Sequence, residues 1–180
     1  MKLLPAVALV VVAAGAPAAA TTVRSYTERE MTAAAVSIVR GKVVEVRSRL
    51  HPSGLIVTDV SIRVERLLKA DVLSEVVVFT QLGGVLHERR LTVPGTSVYA
   101  VGDAVLLFLE QGGEGLVELG VGAGKYQIYE AGGQTLVRRQ LAGVAFAAVT
   151  KGPTTRALPP PVTPEPLALF EARIASYLGE

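Results

Sequence analysis

The glycine-rich segment from Gly120 to Lys125 has the composition of a phosphate-binding loop but not its spacing. A Walker loop has a glycine five positions before its Gly-Lys pair and a serine or threonine directly after it, because that hydroxyl binds magnesium. Leu119 and Tyr126 occupy those two positions. The dinucleotide pattern G-x-G-x-x-G also fails, since Lys125 stands at its last position. We therefore expect these glycines to permit close approach of neighbouring backbones and not to bind phosphate.

The residues that could perform hydrolysis form no recognisable catalytic motif. The chain has no cysteine, its 2 histidines are His51 and His87, and it contains no H-E-x-x-H zinc motif. Ser97 follows Gly95-Thr96 but lacks the second glycine of a G-x-S-x-G elbow. Carboxylate pairs for glycoside hydrolysis stay open, because such pairs come from distant positions. We expect no catalytic residue, cofactor or metal site; the alternative is a secreted hydrolase whose site is assembled from dispersed residues.

The charge pattern argues against nucleic-acid binding. There are 18 basic and 16 acidic residues, and a pI near 9.0 on so small an imbalance does not indicate a basic footprint. The chain has no tryptophan to stack on bases. Basic residues that could share one face of a hairpin alternate with acidic ones, which indicates a cross-paired, solvated face. These residues are Arg47, Arg49, Arg63 and Arg66, interleaved with Glu45, Asp59 and Glu65.

The first twenty residues have the layout of a secretory signal peptide. Met1-Lys2 is a short positive region, Leu3 to Gly15 is apolar apart from Pro5, and Ala18 to Ala20 forms an A-x-A cleavage site. The apolar stretch is shorter than the ~20 residues of a membrane-spanning helix, although an uncleaved anchor is the alternative. We predict an exported protein, periplasmic or extracellular, with no integral membrane span after cleavage.

The elements nearest the amino terminus have clear local signals. Thr27 and Glu30 fit a capping box for a short helix over 28–35. Val36 to Arg49 is a long strand whose alternation slips at Val43-Val44, which predicts a bulge and directs Val44 and Val46 inward. Two short strands with a kink are the alternative. A turn at His51-Pro52-Ser53-Gly54 then leads to a second long strand over 55–68.

Further short strands separated by turns predict an all-β barrel or sandwich. They are Val76–Thr80, Ala104–Glu110, Leu116–Leu119, Lys125–Glu130 and Thr135–Arg138. The continuous apolar run over 104–110 is typical of a strand covered on both faces. We predict a mainly β fold, a small antiparallel Greek-key (OB-like) barrel over residues 21–150, with a short N-terminal helix and a C-terminal amphipathic helix.

The C-terminal region combines a proline-rich stretch with an amphipathic helix. Residues 151–166 are predicted to form an extended linker. Thr163 could cap a helix with Pro164 at its first position. Leu167, Phe170, Ile174, Tyr177 and Leu178 form one apolar stripe within 167–180. That stripe either folds back over the barrel or docks on a partner.

The order of strand signals resembles a widespread family of uncharacterised exported bacterial proteins. The resemblance covers roughly residues 32–130 and rests on V-S-I-V-R-G-K-V-V-E-V (36–46), V-T-D-V-S-I-R-V-E-R-L-L-K-A (57–70), the Gly83-Gly84 step, G-D-A-V-L-L-F-L (102–109) and G-A-G-K-Y-Q-I-Y (122–129). It implies a barrel similar to the OB-like fold of netrin and tissue-inhibitor-of-metalloprotease modules. Some members are adjacent or fused to matrixin-type zinc proteases. This chain departs from the pattern at Ala70, and it contains neither a protease helix nor an inhibitor's amino-terminal cysteine.

The sequence therefore favours an exported, non-enzymatic binding, accessory or scaffold domain whose partner is an exported protein. Alternatives are the dispersed-site hydrolase and a regulator of an exported metalloprotease. The candidate contact residues lie in two turns and the C-terminal helix: His51, Ser53, His87, Glu88, Arg89, Arg90, Phe170 and Tyr177.

Overall fold

The computed structural model describes residues 22–24, 26–70, 74–141, 145–148, 155–157 and 162–179. The predicted signal peptide over 1–20 lies outside them. In chain order the elements are β1 (Thr22–Arg24), α1 (Glu28–Ala34), β2 (Ser37–Leu50), β3 (Ile56–Lys69), β4 (Val76–Leu82), β5 (Gly84–Leu86), β6 (Arg89–Leu91), β7 (Ala104–Gly112), β8 (Gly115–Glu118), β9 (Lys125–Ala131), β10 (Gln134–Arg139), β11 (Ala145–Ala148), β12 (Thr155–Ala157), β13 (Glu165–Pro166) and α2 (Leu167–Leu178).

One antiparallel sheet dominates the fold. Its strand order is β13-β10-β9-β7-β2-β3-β4, with β8 paired to β7 off this path. Smaller sheets are formed by β5 with β6 and by β1, β11 and β12. The predicted mainly β, antiparallel architecture with two helices is confirmed, and the sheet is barrel-like but not closed. The outer edges of β4 and β8 border the opening, which we call the seam.

The long β2–β3 hairpin contains the predicted bulge. Val43 pairs with Ile62 and Glu45 pairs with Ser61, so Val44 is the extra residue. Val46 shares a face with buried Val60, as expected, but it is 37% exposed. Strand β7 pairs with β2 only as far as Lys42, so the β2–β3 hairpin beyond the bulge extends past that strand.

The sheet packs apolar side chains on both of its faces. One buried cluster lies between the sheet and the helices: Met31, Ala35, Ile38, Leu106, Phe108, Leu119, Tyr126, Val137, Leu167, Phe170 and Ile174. The other lies within the curve of the sheet: Val39, Val43, Val60, Ile62, Phe79, Tyr99, Val105, Leu107 and Leu109. Because β7 contributes alternate residues to both clusters, the prediction that it is covered on both faces is confirmed.

The two helices pack together beside the first cluster. The Thr27–Glu30 capping box of α1 is confirmed, since each partner bonds the other's backbone amide. The prediction that Thr163 caps α2 is wrong: the helix begins at Leu167, and its cap residue Pro166 has no side-chain cap. The cause is pairing of Glu165-Pro166 with β10, which keeps the chain extended up to that point.

Helix α2 folds back over the sheet, which is one of the two alternatives predicted for its apolar stripe. Phe170 and Ile174 are fully buried. The Glu171 carboxylate accepts hydrogen bonds from Arg40 at 2.8 Å and Arg66 at 2.5 Å, and Arg173 binds Glu165 at 2.6 Å. The predicted linker over 151–166 lies partly outside the described residues, and its described parts include β12 and β13. Within the described chain, no helix has the length and apolar character needed to cross a bilayer.

Candidate functional site

The seam contains a concavity of about 380 Å³, which we call the seam cavity. Its walls come from the end of β4, the loop after β6, the facing ends of β7 and β8, and the turn before β9. The lining residues are Thr80, Gln81, Leu82, Val93, Thr96, Ser97, Glu110, Val117, Glu118, Val121 and Gly122. A concavity of this size is within the range of small-molecule sites.

A buried carboxylate forms part of the cavity wall. Glu118 is 7% exposed and accepts hydrogen bonds from the Ser97 hydroxyl at 2.9 Å and the Tyr99 phenol at 2.7 Å. Burial raises the pKa of the Glu118 carboxyl, although these hydrogen bonds and the charge of Lys125 oppose that shift. The two donors both belong to the loop after β6, so Glu118 fastens that loop to β8.

Lys125 secures the same loop from behind. Its side chain is 1% exposed, its ammonium donates to the carbonyl of Val98, and it lies 3.7 Å from an Asp103 carboxylate oxygen. The ammonium also lies 4.2 Å from the centre of the Tyr99 ring, within cation–π range. Burial lowers the pKa of Lys125, and the negative charges of Asp103 and Glu118 oppose that shift. Through these contacts the buried charges of Glu118 and Lys125 hold the loop after β6, which has no regular secondary structure, against the sheet.

The glycines that precede Lys125 permit close backbone approach, as predicted. A β-carbon on Gly122 would overlap the carbonyl oxygen of Gly95, and one on Gly124 would lie 2.6 Å from the carbonyl oxygen of Phe108. Gly122 also has φ +83°, a conformation that favours glycine. This turn therefore meets the loop after β6 and closes one end of the seam cavity.

A second concavity, of about 340 Å³, lies under the β5–β6 hairpin, and we call it the hairpin groove. It is lined by Val46, Ser48, Thr58, Gln81, Leu82, Gly83, Gly84, Val85, Arg90, Leu91, Thr92, Val93, Thr96, Ser97, Val98 and Tyr99. Five of these residues, Gln81, Leu82, Val93, Thr96 and Ser97, also line the seam cavity. The two concavities therefore lie on either side of one shared loop.

The predicted contact residues on the β5–β6 hairpin are at or beside this groove. His87 is at the hairpin tip with φ +54°, and Glu88 and Arg89 are exposed. Arg90 lines the groove. The two helix residues differ: Phe170 is fully buried and is a core residue, whereas Tyr177 is half-buried beneath the Arg29 guanidinium, 5.1 Å from its ring centre. The structure thus brings Arg90 to a concave surface and removes Phe170 from the surface.

His51 and Ser53 lie in the β2–β3 turn, where they meet an acidic residue. The Ser53 hydroxyl is 2.7 Å from His51 Nδ1, and His51 Nε2 is 2.8 Å from a Glu114 carboxylate oxygen. A hydroxyl, an imidazole and a carboxylate in line have the hydrogen-bond order of an activated nucleophile. However, the Ser53 amide also donates to Nδ1 at 3.1 Å, and Glu114 is 59% exposed. Because the Ser53 backbone amide donates to the same ring nitrogen, the contact is also accounted for as an imidazole that stabilises the turn.

Asp59 and Glu65, two further acidic residues of the β2–β3 hairpin, have structural partners. Asp59 binds Arg49 at 2.6 Å and Thr80 at 2.7 Å, and the hydrogen bond from Arg49 lowers the pKa of its carboxyl. Glu65 lies 3.8 Å from Arg40. Among the described residues, no group of three or more histidine or acidic side chains could hold a metal ion.

Sequence reasoning missed the buried polar cluster of Tyr99, Glu118 and Lys125, because acidic side chains were expected on solvated strand faces. A signal was present: Glu118 lies between Val117 and Leu119 in an otherwise apolar strand. No family model, curated protein or solved structure significantly matches this chain. The resemblance to exported barrel proteins therefore stays a prediction, and function has to be argued from the geometry.

Proposed function

We propose that this protein is an exported, non-enzymatic binding module, and that its hairpin groove receives an apolar segment of another exported protein. The signal-peptide layout supports export, and the resemblance to exported barrel proteins is consistent with it. The observation that carries the proposal is a concave surface surrounded by exposed valines.

Apolar exposure around the groove is unusually concentrated. Val98 is 80% exposed, and Val46 and Val85 are also exposed, yet all three line one concavity. Single exposed apolar residues are ordinary on protein surfaces, whereas apolar side chains grouped around a concavity are typical of an interaction site. Burial of these valines against a partner would contribute through the hydrophobic effect.

Charge indicates the chemistry of the partner segment. Among the described lining residues of the groove, Arg90 is the charged one, and Arg89 is exposed next to it on β6. A guanidinium pairs well with a carboxylate. The expected occupant is therefore an apolar protein segment that carries an acidic side chain at the Arg90 end.

Hydroxyl contacts hold the groove in shape before any partner binds. Thr58 donates to the Gly83 carbonyl at 2.7 Å and lies 3.0 Å from the Ser48 hydroxyl, which accepts from the Val85 amide at 3.3 Å. These bonds fix the β5–β6 hairpin to the β2–β3 hairpin. A preformed site loses less conformational entropy on binding, so a modest surface can still give useful affinity.

The test is capture of a partner from envelope and secreted fractions by the tagged chain, expressed with its own export signal. Val98→Asp adds a charge that repels an acidic apolar segment, and Arg90→Glu reverses the pairing charge. Leu169→Asp changes another exposed apolar residue, on α2 and away from the groove, and it is the control. We expect one stoichiometric partner that wild type and the control retain and that both groove variants lose by about tenfold or more, as loss of a charged contact implies. Equal capture by all four proteins, or no partner at all, would contradict the proposal.

A secreted hydrolase is the second candidate, and the Ser53–His51–Glu114 contact favours it. In that case Ser53 would attack an ester carbonyl, His51 would take its proton, and the alcohol would leave with a proton returned by the imidazole. Water, deprotonated by His51, would then cleave the acyl–Ser53 bond, releasing the acid and restoring the hydroxyl. Mass spectrometry after incubation with p-nitrophenyl acetate tests this directly. Acetylated Ser53, absent from the Ser53→Ala variant, supports the hydrolase; an unmodified Ser53 with hydrolysis equal in both proteins rejects it.

A further inference from the structure

The seam cavity presents negative charge and hydrogen-bond acceptors against an apolar wall. Glu110 and Glu118 both line it, and none of its described lining residues carries a positive charge. Leu82, Val93, Val117 and Val121 supply the apolar surface. A cavity of this kind repels an anion. A purely apolar molecule would contact the apolar wall but would make no favourable interaction with the carboxylates.

One carboxylate of the cavity lining is held in place by a backbone amide. Glu110 is half-buried, and one of its oxygens accepts a hydrogen bond from the Gly120 amide at 3.1 Å. That bond orients the carboxylate at the cavity. A ligand that donates a hydrogen bond would therefore meet a carboxylate whose position is already fixed.

The turn at the cavity rim contains a residue in an unfavourable backbone conformation. Val121 has φ +50°, which is uncommon for a β-branched residue, and it lies between Gly120 and Gly122. This conformation places Val121 in the cavity lining. Such outliers persist where the surrounding structure holds them, often at ligand sites.

We propose that the seam cavity binds an organic ammonium ion with an apolar body. The hydrocarbon contacts Leu82, Val117 and Val121, while the ammonium group donates a hydrogen bond to Glu110. Glu118 stays bonded to Ser97 and Tyr99. This site lies across the shared loop from the hairpin groove, and its proposal does not rest on the partner surface proposed there.

The experiment titrates the full chain with three probes of one length, n-hexylammonium, n-hexanol and hexanoate, and follows backbone amide shifts by NMR. We expect hexylammonium to bind about tenfold more tightly than hexanol, because a hydrogen bond to a charged group contributes roughly that factor, and hexanoate not to bind. Shifts should concentrate at Leu82, Val117 and Val121. Hexanol binding as tightly as hexylammonium, hexanoate binding equally, or the absence of shifts at these residues would overturn the proposal.

Two carboxylate variants locate the charge contact. Glu110→Gln should weaken hexylammonium binding by about tenfold and leave hexanol unchanged. Glu45→Gln alters an exposed carboxylate on β2, outside the cavity lining, and should have no effect. If Glu110→Gln prevents folding, Val121→Gly offers a second variant, since it removes cavity wall while relieving the positive φ; it should weaken hexylammonium and hexanol alike. Unchanged hexylammonium binding in a folded cavity variant would contradict the assignment.

A competition experiment distinguishes two sources of the ammonium group, a lysine side chain of the partner and a free small amine. Hexylammonium added to the capture experiment displaces a partner that inserts a lysine side chain into the seam cavity. A partner that stays bound does not occupy the seam cavity, and the ammonium group then comes from another molecule. Failure of partner capture alone would count against the proposed binding module, while the probe titration would still decide this site.

Discussion

The phenol of Tyr99 donates a 2.7 Å hydrogen bond to the carboxylate of Glu118, 19 positions later in the chain. Tyr99 belongs to the loop after β6 and Glu118 ends β8, so this bond connects the shared wall of both concavities to the main sheet. Both side chains are buried, and burial raises the pKa of each. The bond therefore both satisfies a buried carboxylate and fixes the surface on which the two binding proposals rest.

Replacing Tyr99 by phenylalanine should destabilise the protein. The change leaves one oxygen of the buried Glu118 carboxylate without its donor, which costs about 1–3 kcal/mol. Urea unfolding monitored by circular dichroism gives the free energy of unfolding. Tyr129→Phe is the control, because the Tyr129 ring lies on β9 beside the Arg138 guanidinium and not in this cluster. Equal free energies for the Tyr99 and Tyr129 variants would contradict the role assigned to the bond.

Asp59→Asn should reduce the loss of stability in acid. The Arg49 hydrogen bond lowers the pKa of Asp59 below its ordinary value of 3.8. Its folded-state pKa is therefore below the unfolded one, so its contribution is complete above pH 3.8 and is lost as pH falls through the folded value. The difference between wild type and variant in unfolding free energy should shrink from about pH 6 to about pH 2. Parallel stability curves over that interval would refute this.

Gly122→Ala should destabilise the turn that closes the seam cavity. The new β-carbon would overlap the Gly95 carbonyl oxygen and would impose a positive φ on alanine, which together cost about 1–3 kcal/mol or more. Gly113→Ala is the matched control, since a β-carbon there meets nothing within 4 Å. Thermal unfolding of both variants measures the difference. A Gly122 variant as stable as the Gly113 variant would show that the two loops can separate without cost.

Glu171→Gln should loosen α2 from the sheet. Glu171 is buried and binds both Arg40 and Arg66, so loss of its charge weakens two charge-assisted hydrogen bonds worth about 1.5–3 kcal/mol each at most. Hydrogen exchange of the α2 amides should become faster, while exchange in β7 changes little. Glu130→Gln, at the exposed end of β9, should leave the exchange of α2 as in wild type. Unchanged α2 protection in the Glu171 variant would contradict this account of helix docking.

Local sequence patterns predicted most of the secondary structure. The β2–β3 hairpin, its bulge at Val44 and the capping box of Thr27 and Glu30 depend on side-chain periodicity and on contacts within a few residues, so they can be read directly from the chain. The start of α2 could not be read in that way. Thr163 and Pro164 are good start signals, but pairing of Glu165-Pro166 with β10 is a contact between distant segments that overrides them.

The candidate sites depend almost entirely on tertiary structure. The sequence by itself determined a cysteine-free, mainly β chain with a signal-peptide layout, a charged hairpin tip and glycines suited to close approach. Only the fold decided that the turn at Gly122 meets the loop at Gly95, that Arg90 lines a groove, and that Glu118 is buried beside Tyr99. The physical reason is that alternation specifies which face of a strand is covered, whereas a cavity forms where loops from distant positions meet at an unpaired edge of the sheet.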